Sequence, residues 1–183
     1  MIDPDQEHRL AAALRSADRA ERDRAMHELH DRLGRPLFQL CLRITCDAAL
    51  AEDARQEAFV DLLRGIGSFR GDARLSTWLF RIAIRAASRV RGRRQAGQAV
   101  RLDDHTPVGN DDPVARSIER ENATRLLAAI DRLPAPQRVV LGLASLQGMA
   151  HAEIAAVLGI PVGTVGSRLH EARERLRAAL DPP

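Results

Sequence analysis

The feature that most constrains the fold of this chain is a pair of helical patterns near its C-terminus, separated by a short turn. Residues 152–161 read AEIAAVLGIP and residues 163–173 read GTVGSRLHEAR. A short helix, a turn containing Gly159 and a second amphipathic helix, in this order, predict a helix-turn-helix, whose second helix enters the major groove of DNA. A plain three-helix bundle with charged outer faces is the alternative that the amphipathic pattern alone leaves open.

The apolar residues of the second helix share one side of a helical wheel, within about 40° of Val165 at about 100° per residue. They predict a buried stripe of Val165, Leu169, Ala172 and Leu176. Outward residues opposite such a stripe can reach base edges, and arginines beside it can reach phosphates. We expect Thr164 to be the N-cap, because its hydroxyl can accept from a free amide of the first turn.

A second charged surface is predicted well before the helix-turn-helix. Residues 70–101 contain nine arginines and a single acid, Asp72. A helix that starts at Ser76 or Thr77 and runs to about Arg91 carries three of them at every fourth position: Arg81, Arg85 and Arg89. This row indicates a polyanionic partner, with a solvated basic face as the alternative. Trp78 either stacks on unpaired bases or anchors the core of a protein with few aromatic residues.

Composition and periodicity together predict an all-α protein. The chain has 183 residues, of which 45% are apolar and 3% aromatic, and segments that alternate apolar and polar residues are scarce. The N-terminus carries no signal-peptide pattern, so we expect a cytoplasmic protein. No spacing supports a nucleophile–base pair or a metal site, so we expect neither an enzyme nor a cofactor, and Cys41 and Cys46 are expected to be buried free thiols.

Helical periodicity divides most of the chain into predicted segments. One helix is expected over residues 8–33, where Gly34 and Pro36 interrupt it, and the helical pattern continues over residues 37–46. The next is expected over 49–64, with a core stripe of Phe59, Leu62, Leu63 and Ile66. Residues 95–118 are rich in Gly, Pro, Asp and Asn and predict a linker. The segment AEDARQEAF at residues 51–59 has an acidic edge, which is either a solvated face or a partner-docking surface.

Three segments of the chain, in this order, resemble the extracytoplasmic-function group of bacterial sigma factors, the smallest members of the sigma-70 family. The segments are AEDARQEAF at residues 51–59, STWLFRIA at residues 76–83, and the stretch from Leu133 through the helix-turn-helix to Leu169. The resemblance covers about residues 20–180. It implies a dissociable RNA polymerase subunit that directs promoter recognition, DNA melting and transcription initiation.

The resemblance also implies a domain organisation and a set of partners. Residues 1–19 would be an N-terminal helical extension, residues 20–95 sigma region 2, residues 96–121 an acidic linker in the RNA path of the polymerase, and residues 122–183 sigma region 4. These two small helical domains would be joined flexibly. The implied partners are core RNA polymerase, through its β′ clamp and β flap, promoter DNA, and an anti-sigma factor that covers the polymerase-facing sides.

The resemblance assigns candidate residues to three surfaces. The core polymerase would contact Glu52, Asp53, Gln56, Glu57 and Phe59. The −10 element would contact Trp78, Arg81, Arg85 and Arg89. The −35 element would contact Thr164, Gly166, Ser167, Arg168, His170, Glu171 and Arg173.

The chain departs from the family pattern within these surfaces. Gly166 and Glu171 replace two common cations of the family's GTVKSRLHRAR segment, Arg85 stands where Asn is frequent, and Ser88 where Asp is frequent. Glu171 would therefore either accept from a cytosine amino group or weaken contact with the −35 element. Two rival functions stay open: a sigma-like decoy that sequesters an anti-sigma factor, and a stand-alone helix-turn-helix regulator.

Overall fold

A computed structural model describes residues 3–98, 115–146 and 149–180 of the chain, and these residues form helices and connecting turns without any strand. Within these ranges the helices are α1 (Pro4–Leu14), α2 (Arg19–Thr45), α3 (Ala48–Gly65), α4 (Leu75–Gln98), α5 (Ala115–Asp131), α6 (Ala135–Ala144), α7 (His151–Leu158) and α8 (Val162–Leu180). A 3₁₀ turn, Ile66–Ser68, follows α3. The predicted all-α fold is confirmed.

Helices α1 to α4 form the first domain around a core of leucine and alanine side chains. Its largest fully buried side chains include those of Leu29, Leu37, Leu40, Leu62 and Leu79. Aspartates cap two of the helices: the Asp18 carboxylate accepts from the amide of Ala20, and that of Asp47 from the amide of Leu50, each at 2.9 Å. These caps satisfy first-turn amides that have no partner within the helix.

The helix boundaries predicted before Thr45 were wrong in two places. The segment predicted over 8–33 is split, because α1 ends at Leu14 and Asp18 caps a new helix. Conversely, α2 continues through Gly34 and Pro36. A proline inside a helix removes one backbone hydrogen bond. Here the buried leucines on both sides of Pro36 hold the helix in the core, so tertiary packing overrides the local signal.

Three further expectations about individual residues were also wrong. Leu63, which was placed in the core stripe of α3, is 46% exposed, although Phe59, Leu62 and Ile66 are buried as expected. Neither Ser76 nor Thr77 is the N-cap of α4, because that helix already begins at Leu75. Thr164 likewise lies inside the first turn of α8, where its amide donates to the carbonyl of Pro161 at 3.0 Å.

Helices α5 to α8 form the second domain, which contains the predicted helix-turn-helix. Helix α7 is followed by Gly159, whose φ of 65° lies in the left-handed region that glycine adopts without strain. Helix α8 then begins at Val162 and buries Val165, Leu169 and Ala172, so most of the predicted stripe is confirmed; Leu176 is only partly buried. Buried Arg138 of α6 donates to two carbonyls at the end of α5, those of Asp131 and Leu133.

The two domains are in contact with each other. Helix α2 packs on α6, and helix α4 packs on α7, so that buried apolar residues of both domains form one continuous cluster. Residues 99–114, which include most of the predicted linker, lie outside the described residues.

No single helix among the described residues is long and apolar enough to cross a membrane. Helices α7 and α8 pass such a test only when taken together, and they are bent by 103° at the break between them. Their apolar side chains, such as Ile154, Val157 and Leu169, are buried in the core of the second domain.

Candidate nucleic-acid and partner interfaces

The residues predicted to contact duplex DNA lie on the outward face of α8 and along the edges of that face. Ser167, His170, Glu171 and Arg173 are exposed, while Thr164, Gly166 and Arg168 are partly buried at its edges. A Cβ added at Gly166 would meet no atom within 4 Å, so this glycine leaves open space on the helix surface. An exposed polar face opposite a buried apolar stripe is the geometry with which a recognition helix reads a groove.

The carboxylate of Glu171 is held by a residue of another helix. Gln137, at the start of α6 and only 5% exposed, donates through Nε2 to a carboxylate oxygen of Glu171 at 2.8 Å. This contact fixes the side chain near the N-terminus of α6, where a negative charge is favourable. No sequence pattern identifies Gln137, because it lies 34 residues from its partner.

The three arginines of the predicted row have different environments. Arg81 is partly buried and donates to the carbonyls of Val157 at 2.9 Å and of Ala156 at 2.5 Å, both in the last turn of α7. Arg89 forms an ion pair with Asp61 of α3 at 2.6 Å. Arg85 is exposed and has no hydrogen-bond or ion-pair partner in the part of the chain that the structure describes. Arg85 is therefore the member of the row that is open to a new ligand.

Trp78 is placed against the end of α3. Its ring centroid lies 5.1 Å from that of Phe69, with the planes inclined by 35°. A Cβ added at Gly65 would lie 3.3 Å from the indole, so the glycine lets the ring approach the helix backbone. The indole is only partly buried. Both roles considered for Trp78 are compatible with this geometry: one face of the ring anchors the core, and part of the ring remains accessible.

The N-terminus of α4 is capped by a side chain from α1. Glu7 is 2% exposed, and its carboxylate accepts from the Ser76 hydroxyl at 2.8 Å and from the Ser76 amide at 3.3 Å. Arg74 adds an ion pair with Glu7 at 3.1 Å. The cap of α4, which the sequence predicted to be Ser76 or Thr77, is therefore supplied by the Glu7 carboxylate of α1. It fixes the helix that carries Trp78 and the arginine row.

Helix α3 presents a mixed polar and apolar face. Asp53 and Gln56 are exposed on it, and beside them lie two exposed large apolar residues, Val60 at 44% and Leu63 at 46%. Exposed apolar groups that sit together on one helix are typical of a docking site. Neither Val60 nor Leu63 was among the predicted contact residues; their spacing from Gln56, by four and seven positions, is the signal that could have identified them.

The predicted contact residues on α3 also have partners within the domain, and Gln56 itself donates to the Glu52 carboxylate at 2.9 Å. Glu52 forms an ion pair with Arg55 at 2.6 Å; hydrogen bonds from Arg55 hold the pKa of the Glu52 carboxyl below its usual range, against the opposing effect of burial. Glu57 forms ion pairs with Arg89 and Arg93 of α4. Phe59 is 9% exposed and its ring packs on that of His30 at 5.3 Å. The structure thus brings Asp53 and Gln56 together on the open face and leaves Phe59 in the core.

The fold and these surfaces define the class of protein: an all-α helix-turn-helix protein with a second helical domain that bears an arginine row. Residues 29–96 match the family model described as Sigma-70 region 2, and residues 123–176 match that described as Sigma-70, region 4.

Curated relatives match over most or all of the chain. An RNA polymerase sigma-H factor of Pseudomonas aeruginosa is 33% identical over 192 residues, which cover 100% of this chain and 97% of that protein. The ECF RNA polymerase sigma factor SigM of Mycobacterium tuberculosis is 37% identical over 171 residues, covering 93% and 83%. The ECF RNA polymerase sigma-E factor of Escherichia coli is 34% identical over 140 residues, covering 71% and 73%.

Solved structures share the fold. CnrH, in complex with the cytosolic domain of CnrY, superposes with a TM-score of 0.71 at 26% identity, covering 96% of this chain and 97% of that one. The sigma factor RpoE of Bartonella quintana, in complex with the anti-sigma factor NepR, gives a TM-score of 0.60 at 24% identity, covering 85% and 98%. The chain belongs to the sigma-70 family, in its extracytoplasmic-function group, and its function is that of a sigma factor in promoter-directed transcription initiation.

Proposed function

We propose that the three surfaces divide the work of initiation among α3, α4 and α8. The exposed face of α3 docks on the β′ clamp of RNA polymerase, the arginine row of α4 holds the opened −10 strand, and α8 reads the −35 element. The second domain would at the same time contact the β flap. The observation that carries this proposal is the outward face of α8, which is polar and exposed opposite the buried Val165, Leu169 and Ala172.

The polymerase contact is supported by the apolar residues that α3 leaves open. Val60 and Leu63 lie beside Asp53 and Gln56, so a partner helix can cover apolar area at the centre and meet polar groups at the rim. This arrangement of an apolar centre and a polar rim is that of a protein–protein interface. The same face suits an inhibitory protein such as an anti-sigma factor, which would compete with the polymerase for it. Because both the polymerase and the promoter are in the bacterial cytoplasm, we place the protein there.

The −10 contact is supported by Arg85, which has no partner among the described residues, and by the partly accessible indole of Trp78. Arginine follows the backbone of a single strand, and an aromatic ring stacks on unpaired bases. Opening the duplex costs a few kcal/mol for each unstacked base, which binding of the extruded strand has to offset.

For the −35 contact, we propose that Ser167, His170 and Arg173 face the groove. The hydrogen bond from Gln137 holds the Glu171 carboxylate in a fixed position. If this carboxylate faces a cytosine amino group, its fixed position would distinguish cytosine from the other bases. Substitution of Arg173 by Ala should lower affinity for all duplexes and reduce the salt slope by about 0.9 for one lost phosphate contact. Arg24 on α2 is exposed, so R24A removes the same charge outside the proposed surface and serves as the control.

The experiment that tests the proposal is transcription in vitro with purified core polymerase on a randomised promoter library. The wild-type chain together with core polymerase should select two sequence elements, whereas the chain alone and the core alone should select none. The double variant Val60→Glu, Leu63→Glu should reduce binding to the core by at least tenfold, whereas Ala12→Glu, at an exposed position of α1, should not. Tight duplex binding without polymerase would instead indicate a stand-alone regulator, and binding to an anti-sigma factor alone would indicate a decoy.

A further inference from the structure

Three large apolar side chains are exposed in the part of the chain that the structure describes. Val60 and Leu63 lie on the open face of α3, and the third, Val162, is 49% exposed. Val162 is the first residue of α8, directly before the residues that were predicted to contact the −35 element. A single exposed apolar side chain is common on protein surfaces and needs no ligand to explain it. The place of this valine at the start of the proposed recognition helix, however, brings it close to the surface that faces DNA.

Val162 is outside the core of the second domain. The apolar side of α8 is supplied by Val165, Leu169 and Ala172, each of which is at most 1% exposed. A valine is also no better than other residues at forming the first turn, because β-branched residues are poorer helix formers than alanine or leucine. Burial of apolar surface away from water is favourable. The side chain of Val162 therefore keeps apolar area that a ligand can cover.

Two glycines leave the helix surface next to Val162 open. Gly163 follows it directly, and Gly166 lies one turn further along α8; a Cβ built at either position would meet no atom within 4 Å. Residues four apart on a helix are neighbours, so a side chain at position 166 would stand beside that of Val162. Without one, a ligand can approach the valine and the helix backbone closely. We call these three residues, Val162, Gly163 and Gly166, the apolar notch.

The C5 methyl group of thymine is the group in the major groove that matches the apolar notch. The first residues of a recognition helix contact base edges. Guanine, adenine and cytosine present donors and acceptors on these edges, whereas thymine also presents a methyl group. The valine side chain neither donates nor accepts a hydrogen bond, so covering a polar edge with it would leave that edge unsatisfied, which is unfavourable. Covering a methyl group removes only apolar surface from water, which is favourable.

We propose that the apolar notch holds the methyl group of a thymine in the −35 element, and that Val162 is a specificity-determining residue of α8. This proposal rests on the proposed function of α8 as the helix that reads the −35 element. Ser167 and His170, which are exposed further along the helix, would supply polar contacts, while the notch supplies an apolar one at its start. Burial of one methyl-sized group favours thymine over a base without that group by about fourfold in affinity, equivalent to about 0.8 kcal/mol.

Promoter selection from two libraries tests the methyl contact with the unaltered chain. Core polymerase with the wild-type chain selects from a duplex library that is randomised over the −35 element and prepared once with thymine and once with uracil. Uracil has the same polar edge as thymine and lacks only the methyl group. Enrichment of thymine at one position of the element should therefore fall by about fourfold when uracil takes its place. The comparison needs no variant, so its outcome does not depend on how a variant folds.

Variants of the notch identify the residue that makes the contact. Val162→Ser, which replaces both methyl groups of the side chain by a hydroxyl, should remove the difference between the two libraries at that position. Gly166→Lys should do the same by placing a long side chain beside the valine. Val162→Thr keeps one methyl group and most of the shape, and should keep part of the difference. Ala178→Ser, an apolar-to-hydroxyl change at an exposed position in the last turn of α8, is the control and should behave as wild type.

The contrary results separate the methyl contact from the function of α8. Equal enrichment of thymine and uracil with the wild-type chain overturns the methyl contact, and a library difference that Val162→Ser retains overturns the role of Val162. Weaker binding of Val162→Ser to core polymerase, with the library difference unchanged, also overturns that role and places the valine in a polymerase interface. If no −35 sequence is enriched from either library, the proposed function of α8 is wrong as well.

Discussion

Replacing Glu7 by Ala should destabilise the first domain, although along the chain Glu7 is distant from the residues of every proposed ligand surface. The carboxylate accepts two hydrogen bonds from Ser76 and pairs with Arg74, and it is almost completely buried. Its loss leaves the buried Ser76 hydroxyl without this acceptor and uncaps α4. Hydrogen bonds to a charged group contribute about 1.5–3 kcal/mol each, but bonds within one cluster are not additive.

The expected loss of unfolding free energy is about 3 kcal/mol. The two bonds to Ser76 account for most of it, because loss of a helix cap alone costs about 0.5–2 kcal/mol. The ion pair adds under about 1 kcal/mol, since Arg74 is partly exposed and also contacts Glu153. For a urea slope of about 2 kcal/mol per M, the midpoint should fall by about 1.5 M.

Urea unfolding followed by the fluorescence of Trp78 measures this change at the site itself. Trp78 is the only tryptophan of the chain and lies two residues beyond Ser76. Arg9→Ala, at an exposed position of the same helix, should shift the midpoint by under about 0.25 M. If Glu7→Ala and Arg9→Ala unfold at the same urea concentration, the carboxylate does not cap α4. The double variant Glu7→Ala, Ser76→Ala should show a coupling of at least about 1 kcal/mol.

Three further predictions follow from other contacts. Burial opposes ionisation of Asp47, but hydrogen bonds from the Leu50 amide and from Arg94 outweigh it and hold the pKa of this carboxyl below 3.8. The stabilisation of the fold by the Asp47 carboxylate is therefore present above pH 3.8 and is lost as the pH falls through the lower pKa of the folded state. Asp47→Asn should thus reduce the urea midpoint at pH 7 but much less at pH 2. Burial, with Asp131 of α5 adding to it, raises the pKa of the Cys46 thiol from 9.0 to about 11. A Cβ at Gly142 of α6 would lie 3.0 Å from Leu40 Cδ1 of α2, so Gly142→Gln should loosen the packing of α6 on α2 and speed alkylation of Cys46 at pH 8, by up to about 100-fold if the shift is fully relieved. An unchanged rate would show that Cys46 is shielded by its own domain. Gly65→Leu should displace the indole of Trp78, shift its emission and lower the thermal midpoint by several degrees, and an unchanged spectrum would refute the contact.

The parts of the fold that sequence could predict are those whose signals are local. The buried stripe of α8 follows from a periodicity carried by a single helix, and the turn at Gly159 follows from one residue. Leu63 was misplaced because it lies next to Leu62, and periodicity alone does not fix where a buried arc ends. Pro36 indicates a break because its effect on the backbone is local, whereas the packing that overrides it is not.

The contacts that organise the candidate site come from distant parts of the chain. Glu7 and Ser76 are 69 residues apart, and Arg81 and Val157 are 76 apart. No spacing rule links such residues, and their chemical types are common on exposed helix faces. The sequence could therefore name Arg81 as a member of a row, but it could not show that this arginine has a carbonyl partner while Arg85 has none among the described residues.

The hydrogen bonds of Arg81 to the end of α7 restrict how the first domain can evolve. Under the proposed function, a substitution at this position that favours another base would also alter the last turn of α7, so a change in one domain would be inherited with a change in the other. Arg85 makes no such bond among the described residues. Lineages that acquire new target sequences should therefore have diverged at Arg85 and kept Arg81.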